Sequence, residues 1–365
     1  MAHIAIDARI INSSTGTYVE RLVTHLQDID RENTYTIIVP SKDKEFWRPS
    51  YPNFRVEIAD YKNYSLGEQF GFKRLLDALS PDLVHFCMPQ QPIRYRGKKI
   101  TTFHDLNLLK TWNSDKNWLV YHCKQLIGRW VFYQVAHQSN LIITPTDFTA
   151  DDLVDFSRIP HTKIRRTYEA ADVHRNKTEP YQSEFSQFIL YVGQQADYKN
   201  IRRLGDAHQK LLEKYPHLGL ILVGRKDKAA EKNEKYFQDN AYRNIHFTGF
   251  IPNSQRDWLY SHCQAYVFPS LMEGFGLPAL EAMGYGAPVV SSNATCLPEV
   301  YGDAALYFDP LNTDDIIHAI DRILLDGHLR SRLIEKGYIQ HAKYSWRRMA
   351  EQTHQAYLEV IGQPS

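Results

Sequence analysis

Short apolar strands alternate with helical patterns along both halves of this chain, and this alternation constrains the fold more than any other feature. In the first half, strands are predicted near 3–8, 35–39, 83–87, 100–103 and 141–144. In the second half, the pattern resumes with FILYVG (188–193) and LGLILVG (218–224) and repeats to about residue 326. Strands that alternate with helices form parallel sheets covered by helices on both faces. The predicted fold class is therefore α/β, with two Rossmann-like, doubly wound domains.

A polar segment marks the predicted domain boundary. VHRNKTEPYQSE (173–184) is charged and contains proline, so it is typical of a linker. We predict one domain over 1–175, a second over 176–345 and a C-terminal helix within 346–365. Ligands of doubly wound sheets bind at the carboxyl ends of the strands. We therefore expect the two domains to face a central cleft that holds the active site.

The composition is typical of a soluble, cytoplasmic enzyme. The chain has 365 residues, enough for two cores, and its 43 basic and 42 acidic residues argue against a nucleic-acid partner. The four cysteines show no C-x-x-C pair, which favours a reducing compartment. Asp7 and Arg9 interrupt the first apolar stretch, so no ordinary signal peptide is expected. No uncharged apolar run reaches the roughly 18 residues that span a bilayer. Any membrane contact should be peripheral.

The segment EGFGLPALE (273–281) is the strongest candidate for a binding site. An apolar strand, AYVFPS, precedes it, and Pro278 suits the first turn of a helix. Gly274 and Gly276 would let a ligand approach the backbone, where the helix N-terminus favours phosphate oxygens and sugar hydroxyls. Glu281, expected in the first helical turn, could accept two hydrogen bonds from a ribose diol. In the alternative interpretation, Glu273 caps the helix and Glu281 is solvated.

The same segment also fits the G-x-G-x-x-A dinucleotide fingerprint, through Gly274, Gly276 and Ala279. An NAD-dependent oxidoreductase is therefore an alternative, and a catalytically silent nucleotide-sugar binder is another. A dehydrogenase usually carries this fingerprint after its first strand, with an acidic residue about 20 positions later. Here the next predicted strand, APVVSS (287–292), ends without an acid.

Several further segments resemble, in the same order, the retaining nucleotide-sugar-dependent glycosyltransferases of family four, which include many bacterial mannosyltransferases. They are HIAIDARI with the glycine loop at Gly16, PDLVHF (81–86), TTFHDL (101–106), YVGQQADYKN (191–200), FTGFIP (247–252) and YSW (344–346). The resemblance covers nearly the whole chain. It implies the B-type glycosyltransferase fold, with an acceptor-side N-terminal domain over 1–175 and a nucleotide-sugar donor domain, the donor half, over 176–345. It also implies that the last helix crosses back onto the N-terminal domain.

The resemblance also implies roles for particular residues. His104 would reach the transferring sugar, Lys199 would stabilise the leaving diphosphate and Glu273 would bind sugar hydroxyls; these three are the predicted catalytic residues. The predicted donor-binding set is Gly16, Gly193, Lys199, Phe250, Ile251, Glu273, Gly274, Phe275, Gly276, Leu277 and Glu281. Asp105 would orient His104 or its loop, and Glu299 matches a recurrent family glutamate for which helix capping is the simpler explanation.

The chain departs from the family pattern at three positions. Gln194 and Tyr198 stand where many members carry arginine, which leaves Arg225 as a possible compensating cation. Ser14 replaces the first of the usual paired glycines.

The predicted reaction is retaining transfer of a hexose, mannose from GDP-mannose, to a glycan or lipid-linked acceptor. The choice of mannose rests on analogy. No cofactor besides the donor is expected. No metal is expected either, because no D-x-D motif ends a strand of the donor half and no His/Cys/Asp cluster has metal-ligand spacing.

Two segments could contact an anionic membrane surface. IRYRGKK (93–99) places Arg94, Arg96, Lys98 and Lys99 beside Tyr95. A helical pattern mixes aromatic residues with cations at Trp118, Tyr121, Lys124, Arg129 and Trp130. In the alternative interpretation, the first segment is a solvated loop and the second is a domain helix that packs Leu119, Leu126 and Trp130 inward.

Overall fold

The computed structural model describes residues 1–13, 15–110, 118–174 and 177–363, with side chains from 125 onward in the helix that begins at 118. It divides into two compact units. The first comprises Met1–Glu169 and the segment that begins at Ser345, and the second comprises Ala170–Tyr344. Each unit contains one fully parallel sheet with helices, which confirms the predicted α/β class.

The first unit is built on a seven-stranded sheet. Its strands are β1 (His3–Asp7), β2 (Thr34–Val39), β3 (Phe54–Ile58), β4 (Leu83–Phe86), β5 (Lys99–Thr102), β6 (Leu141–Thr144) and β7 (Ile164–Arg166). Their order is β3-β2-β1-β4-β5-β6-β7. The chain adds β2 and β3 on one side of β1 and then adds β4 to β7 on the other side. The strand order therefore reverses between β1 and β4.

In the part of the chain that the structure describes, α-helices lie between these strands, and the helix near the C-terminus belongs to the same unit. They are α1 (Gly16–Ile29), α2 (Lys73–Leu79), α3 (Asn107–Lys110), α4 (Trp118–Gln138), α5 (Asp147–Ser157) and, numbered along the whole chain, α13 (Trp346–Ile361). The Ser345 hydroxyl caps α13 by accepting the Arg348 N–H. The Tyr357 hydroxyl on α13 lies 2.6 Å from Nδ1 of the buried His85 on β4, which fixes the helix to this sheet.

Helix α4 does not pack as the domain-helix alternative predicts. Among its described side chains, Val131, Phe132, Val135 and Ala136 join a core cluster. Leu126 and Trp130, predicted to face inward under that alternative, are 68% and 53% exposed. The side chains of Trp118, Leu119, Tyr121 and Lys124 lie outside the described residues.

The second unit is built on a six-stranded sheet in the order β10-β9-β8-β11-β12-β13. These strands are β8 (Gln187–Val192), β9 (Leu218–Val223), β10 (Ile245–Gly249), β11 (Ala265–Phe268), β12 (Val289–Ser292) and β13 (Ala305–Phe308). The helices are α6 (Ile201–Leu211), α7 (Lys228–Asp239), α8 (Asn253–His262), α9 (Leu277–Gly284), α10 (Leu297–Tyr301), α11 (Thr313–Leu325) and α12 (Gly327–Ala342).

The strand order of the second sheet reverses between β8 and β11. The chain runs outward from β8 to β10, returns to the other side of β8 at β11 and then runs outward to β13. In doubly wound sheets the loops at such a reversal separate and leave a crevice at the carboxyl ends of the strands, where ligands bind. The loops after β8 and β11 are therefore expected to carry functional side chains.

Candidate active site

The loops at this reversal carry a lysine and a glutamate that form an ion pair. Lys199 ends a single 3-10 turn that follows β8, and Glu273 lies in the loop after β11. Lys199 Nζ lies 2.6 Å from Glu273 Oε1, and both side chains are largely buried. The Leu271 N–H donates to the Tyr198 carbonyl at 2.8 Å, so a backbone hydrogen bond also joins the two loops. The structure thus brings together two of the three predicted catalytic residues.

Lys199 is a fixed cation in surroundings of low polarity. Burial acts to lower its pKa, but the charge of Glu273 outweighs this effect and the pKa of Lys199 is raised above its ordinary value. The ammonium group lies 5.0 Å from the centroid of the Tyr198 ring and 5.6 Å from that of Phe268. A buried cation of this kind interacts strongly with a second anion because solvent screens it weakly.

Asn200, which the sequence analysis did not single out, shapes the lysine turn. Its backbone is left-handed, with φ of 60°, and it precedes the first residue of α6. Its Nδ2 donates to the carbonyls of Pro269 at 3.1 Å and Pro310 at 2.8 Å. Asparagine tolerates left-handed backbone better than most residues, and this was the only signal in the sequence. Asn200 therefore ties the Lys199 turn to the loops after β11 and β13.

A glycine stands at the carboxyl end of each of the strands β8, β9 and β10, so no side chain projects from these three positions. Gly193 has φ of +145°, and its N–H donates to the Val223 carbonyl at 2.9 Å. A Cβ on Gly224 would lie 2.2 Å from the Gly193 carbonyl oxygen, so only glycine fits there. Gly249 has φ of +68° with no atom near its missing side chain, and the predicted donor residues Phe250 and Ile251 follow it.

The turn before α9 is held by a tyrosine. Gly276 is left-handed, with φ of +93°, and its carbonyl accepts a hydrogen bond from the Tyr301 hydroxyl at 2.6 Å. A Cβ on Gly276 would lie 2.1 Å from that hydroxyl. Helix α9 then begins at Leu277 with Pro278 in its first turn, as predicted. Phe275 is buried edge-on against Tyr344, with ring centroids 5.6 Å apart.

The predicted position of Glu281 in the helix is wrong. Because α9 begins at Leu277, Glu281 is its fifth residue and lies in the second turn, not the first. Its Oε2 accepts a hydrogen bond from the Tyr260 hydroxyl at 3.1 Å. Burial raises the pKa of Glu281 above its ordinary value, although Arg256 acts in the opposite direction.

The structure also locates the residues that replace the family arginines. The Gln194 carbonyl accepts the Tyr191 hydroxyl at 2.5 Å, while the Tyr198 ring lies beside the Lys199 ammonium. Arg225 is exposed after β9. Arg203, in the first turn of α6, donates to Asn200 Oδ1 at 3.0 Å and is a second cation close to the lysine turn.

In the first unit, His104 lies between two hydrogen-bond acceptors. Its Nδ1 is 3.0 Å from Glu169 Oε1, and its Nε2 is 3.0 Å from the Cys87 carbonyl oxygen. Two acceptors require a proton on each ring nitrogen, so this geometry fits an imidazolium paired with a carboxylate. Burial lowers the pKa of His104, but the hydrogen bond and charge of Glu169 outweigh it and raise the pKa overall. Glu169 was missed, since nothing local in TYEAAD marks it as a histidine partner.

Two other residues predicted in this unit, Asp105 and Gly16, form hydrogen bonds with residues close to them in the sequence. Asp105 Oδ1 accepts the Asn107 N–H at 2.9 Å and so caps α3. The Gly16 N–H donates to the Ser13 carbonyl at 3.0 Å, and a Cβ on Gly16 would lie 2.1 Å from the Ile11 carbonyl oxygen. Ser14 lies outside the described residues. In the second unit, Glu299 lies in the first turn of α10.

Of the four cations in the segment 93–99, which was predicted to contact a membrane, three are exposed and one is buried. Lys99 is only 3% exposed, and its Nζ donates to the Tyr95 carbonyl at 2.8 Å. Burial lowers the pKa of Lys99 to about 8. The Tyr95 ring is also buried, whereas Arg94, Arg96 and Lys98 are exposed. The Arg94 guanidinium lies 5.6 Å from the centroid of the Phe70 ring.

Among the described residues, no group of three His, Cys, Asp or Glu side chains is arranged to hold a metal ion. No described helix is both long and apolar enough to cross a membrane.

Comparisons with known proteins give the same assignment in both halves of the chain. Residues 15–175 match the family described as Glycosyltransferase Family 4, and residues 174–340 match Glycosyl transferases group 1. The O-antigen chain mannosyltransferase B of Escherichia coli is 32% identical over 274 residues, which cover 71% of this chain and 70% of that protein.

Solved structures with the same fold cover nearly the whole chain. Sucrose-phosphate synthase from Thermosynechococcus elongatus superposes with a TM-score of 0.78 at 19% identity, over 99% of this chain and 100% of that one. Anabaena HepE in complex with UDP and glucose gives a TM-score of 0.72 at 14% identity, over 98% and 99%. The oxidoreductase alternative gains no support from these matches. The chain therefore belongs to the group 1 and family four glycosyltransferases and has their B-type fold of two Rossmann-like domains.

Proposed function

We propose that this glycosyltransferase transfers mannose from GDP-mannose to a glycan or lipid-linked acceptor, with retention of the anomeric configuration. The observation that carries the proposal is the Lys199–Glu273 ion pair at the reversal of the second sheet. It holds a cation suited to a diphosphate next to a carboxylate suited to sugar hydroxyls. The choice of mannose is supported by the similarity to the O-antigen chain mannosyltransferase B of Escherichia coli.

Each predicted donor-binding residue of the second unit has a proposed role. The Lys199 ammonium neutralises the diphosphate as the glycosidic bond breaks. Glu273 and the backbone N–H groups of Gly274 to Gly276 bind the sugar hydroxyls, and Glu281 accepts hydrogen bonds from the ribose. Gly193, Phe250, Ile251, Phe275 and Leu277 line the nucleotide and sugar. A nucleotide-sugar donor is also supported by Anabaena HepE, which was solved with UDP and glucose.

In the proposed chemistry, the acceptor attacks on the face from which the diphosphate departs. Retention by double displacement would need a carboxylate nucleophile and a second acid group about 5 Å from it. Glu273 is instead paired with Lys199, and Glu281 with Tyr260. The leaving diphosphate would take the acceptor proton while Lys199 stabilises its charge. His104, as an imidazolium held by Glu169, would support the sugar, and Gly16 would approach the donor phosphate through its backbone.

The stereochemical proposal is tested on the product. NMR should show an α-linked product from an α-linked donor, and mass spectrometry should detect no glycosyl-enzyme. A β-linked product, or a sugar trapped covalently on Glu273, would overturn the mechanism.

The function itself is tested first by ligand-induced stabilisation and then by turnover. A thermal-shift screen with GDP, UDP, ADP, their sugar conjugates and NADH should give the largest stabilisation with GDP and GDP-mannose. Incubation with GDP-mannose and mannoside acceptors should then release GDP and form a longer glycan. Stabilisation by NADH alone would support an oxidoreductase, and binding without product would support a silent nucleotide-sugar binder.

We also propose that the protein acts at the cytoplasmic face of a membrane by peripheral attachment. Arg94, Arg96 and Lys98 are exposed in the first unit, and Phe70, beside Arg94, and Leu66 expose apolar surface. Cations that flank exposed apolar side chains suit anionic headgroups. Such attachment would bring the enzyme to a lipid-linked acceptor.

A further inference from the structure

A half-exposed tyrosine of the first unit has an unusual backbone conformation. Tyr64 lies in the loop between β3 and α2, with a left-handed backbone of φ +58°, and the residue is 47% exposed. Its N–H donates to Glu68 Oε2 at 2.9 Å. A bulky residue in left-handed backbone is strained, and such strain persists only where the surroundings enforce it, often at binding sites.

Buried charges enforce this conformation. Arg9, just after β1, forms ion pairs with Asp7 at 2.8 Å and with Glu68 Oε1 at 3.0 Å, and all three side chains are buried. The Arg9 guanidinium also donates to the Tyr61 carbonyl at 3.0 Å and lies 4.1 Å from the centroid of the Phe72 ring. Glu68 belongs to a π-helical turn, Gly67–Phe72, a rare geometry that is frequent at functional sites.

Beside the Tyr64 hydroxyl lies an amide with an unused hydrogen-bonding group. Gln90, in the loop after β4, donates from Nε2 to the Tyr64 hydroxyl. Its Oε1 has no donor among the described residues, although the side chain is only 8% exposed. If the amide were turned over, its NH₂ group would be left without a partner instead. Buried polar atoms without a hydrogen-bond partner are rare, and such an atom is suited to bind a ligand or a water molecule.

The location agrees with a binding site. Arg9 and Gln90 follow β1 and β4, the adjacent strands between which the first sheet reverses its order. Ligands of doubly wound sheets bind at this place. The exposed face of a rigid aromatic ring packs well against the apolar C–H face of a pyranose, and a nearby amide can bind one hydroxyl.

We propose that Tyr64 and Gln90 form a carbohydrate subsite that holds a pyranose ring of the acceptor. This inference rests on the proposed function, because it assigns a place on the first unit to the glycan that receives the sugar. Tyr64 supplies the stacking surface, Gln90 binds a hydroxyl, and the Asp7–Arg9–Glu68 network keeps the tyrosine in position.

The test is ligand-observed NMR titration with methyl α-D-mannopyranoside. Tyr64→Ala removes the stacking surface, and Gln90→Leu replaces the amide with a shorter apolar side chain. Each should weaken glycoside binding about three- to tenfold, the usual effect of losing one such contact. Tyr64→Phe, which keeps the ring, should bind within about twofold of the wild type, because a neutral phenol hydrogen bond contributes little when it already has a protein partner. The matched control is Tyr133→Ala, which removes a similarly exposed tyrosine from α4 of the same unit and should change nothing.

GDP binding by thermal shift, measured on the same proteins, separates this inference from the proposed function. If the wild type binds GDP but Tyr64→Ala and Gln90→Leu bind the glycoside as the wild type does, the subsite is overturned and the proposed function stands. Absence of glycoside binding by the wild type would overturn the subsite equally. Absence of binding of every nucleotide would overturn the proposed function instead. Unfolding temperatures of the variants identify any that fail to fold, and if either Tyr64→Ala or Gln90→Leu does so, the other decides the question.

Discussion

At the scale of single residues, the Lys199–Glu273 pair is sensitive to substitution. Each charge is buried and balanced by the other, so removing one leaves an unpaired buried charge in addition to any lost chemistry. Two effects are therefore expected from one substitution, on the rate of transfer and on the stability of the second unit.

Lys199→Ala should lower kcat about 100- to 1,000-fold, because one charge-stabilising group at a reaction centre contributes that much. Glu281→Ala should mainly raise the Kd for the nucleotide. Steady-state kinetics with GDP-mannose and titration with GDP measure the two effects. Lys235→Ala, on the solvent-exposed side of α7, is the control and should behave as the wild type. Near-wild-type kinetics in both Lys199→Ala and Glu281→Ala would remove the basis for the donor site.

The His104–Glu169 pair predicts a pH-dependent contribution to stability. The pKa of His104 is raised in the folded protein, so the pair stabilises fully below the ordinary histidine value of 6.5. That stabilisation is lost as the pH rises through the higher folded-state value. The difference in unfolding temperature between the wild type and Glu169→Gln should therefore shrink as the pH is raised above 6.5. A difference that grows with pH would mean that the histidine is neutral in the folded protein.

The candidate site could be predicted from the sequence only where the signal is local. Lys199 and Glu273 follow recognisable strands and precede helices, so their positions at the edge of the sheet are implied by the sequence. Glu169 is a partner of His104 only because β7 returns to the sheet 65 residues later. Glu281 falls one turn deeper than predicted because the left-handed Gly276 delays the start of α9.

At the scale of elements, position in the sheet decided which strands could be predicted. Central strands such as β4 (LVHF) and β6 (LIIT) are buried along their length and read as apolar runs. The two strands that the sequence analysis missed, β3 (FRVEI) and β7 (IRR), are the two edges of the first sheet. Edge strands mix polar and apolar residues because they are less buried than central strands, so their composition resembles that of loops.

The segment 93–99 predicts how the protein would attach to a membrane. Replacing Arg94, Arg96 and Lys98 by glutamine should release the protein from anionic vesicles, and salt should weaken wild-type binding because exposed charges are screened within about 8 to 10 Å. Sedimentation with anionic and neutral vesicles measures both effects. The control replaces Lys228, Lys232 and Lys235, three exposed lysines of the second unit.

Equal sedimentation of the wild type with both vesicle types would refute electrostatic attachment. Lys99 is left out of the triple variant because its buried ammonium group binds the Tyr95 carbonyl. Its replacement would test stability, not attachment.

At the scale of the whole molecule, the alternation of strands and helices was sufficient to predict the fold class. Both sheets are parallel, and each reverses its order once, between β1 and β4 and between β8 and β11. Local sequence does not determine on which side of an existing strand the next strand pairs, because this depends on how whole elements are connected. The sheet order therefore had to come from the structure.

Transfer is expected to proceed without an added divalent ion. The Lys199 ammonium and the N-termini of α6 and α9 supply positive charge where the diphosphate is proposed to bind. Activity should therefore persist after dialysis against a chelator. Activity that disappears with the chelator and returns with Mg²⁺ or Mn²⁺ would show that the diphosphate needs a metal partner.

The contact between Gly276 and Tyr301 has a consequence for how the sequence can evolve. A side chain at 276 would collide with the Tyr301 hydroxyl, and the loss of that hydroxyl would leave the Gly276 carbonyl without its donor. Neither position can change first without harm, so neutral drift should be blocked at both. Among descendants of this gene the two positions should either stay fixed together or be exchanged as a pair.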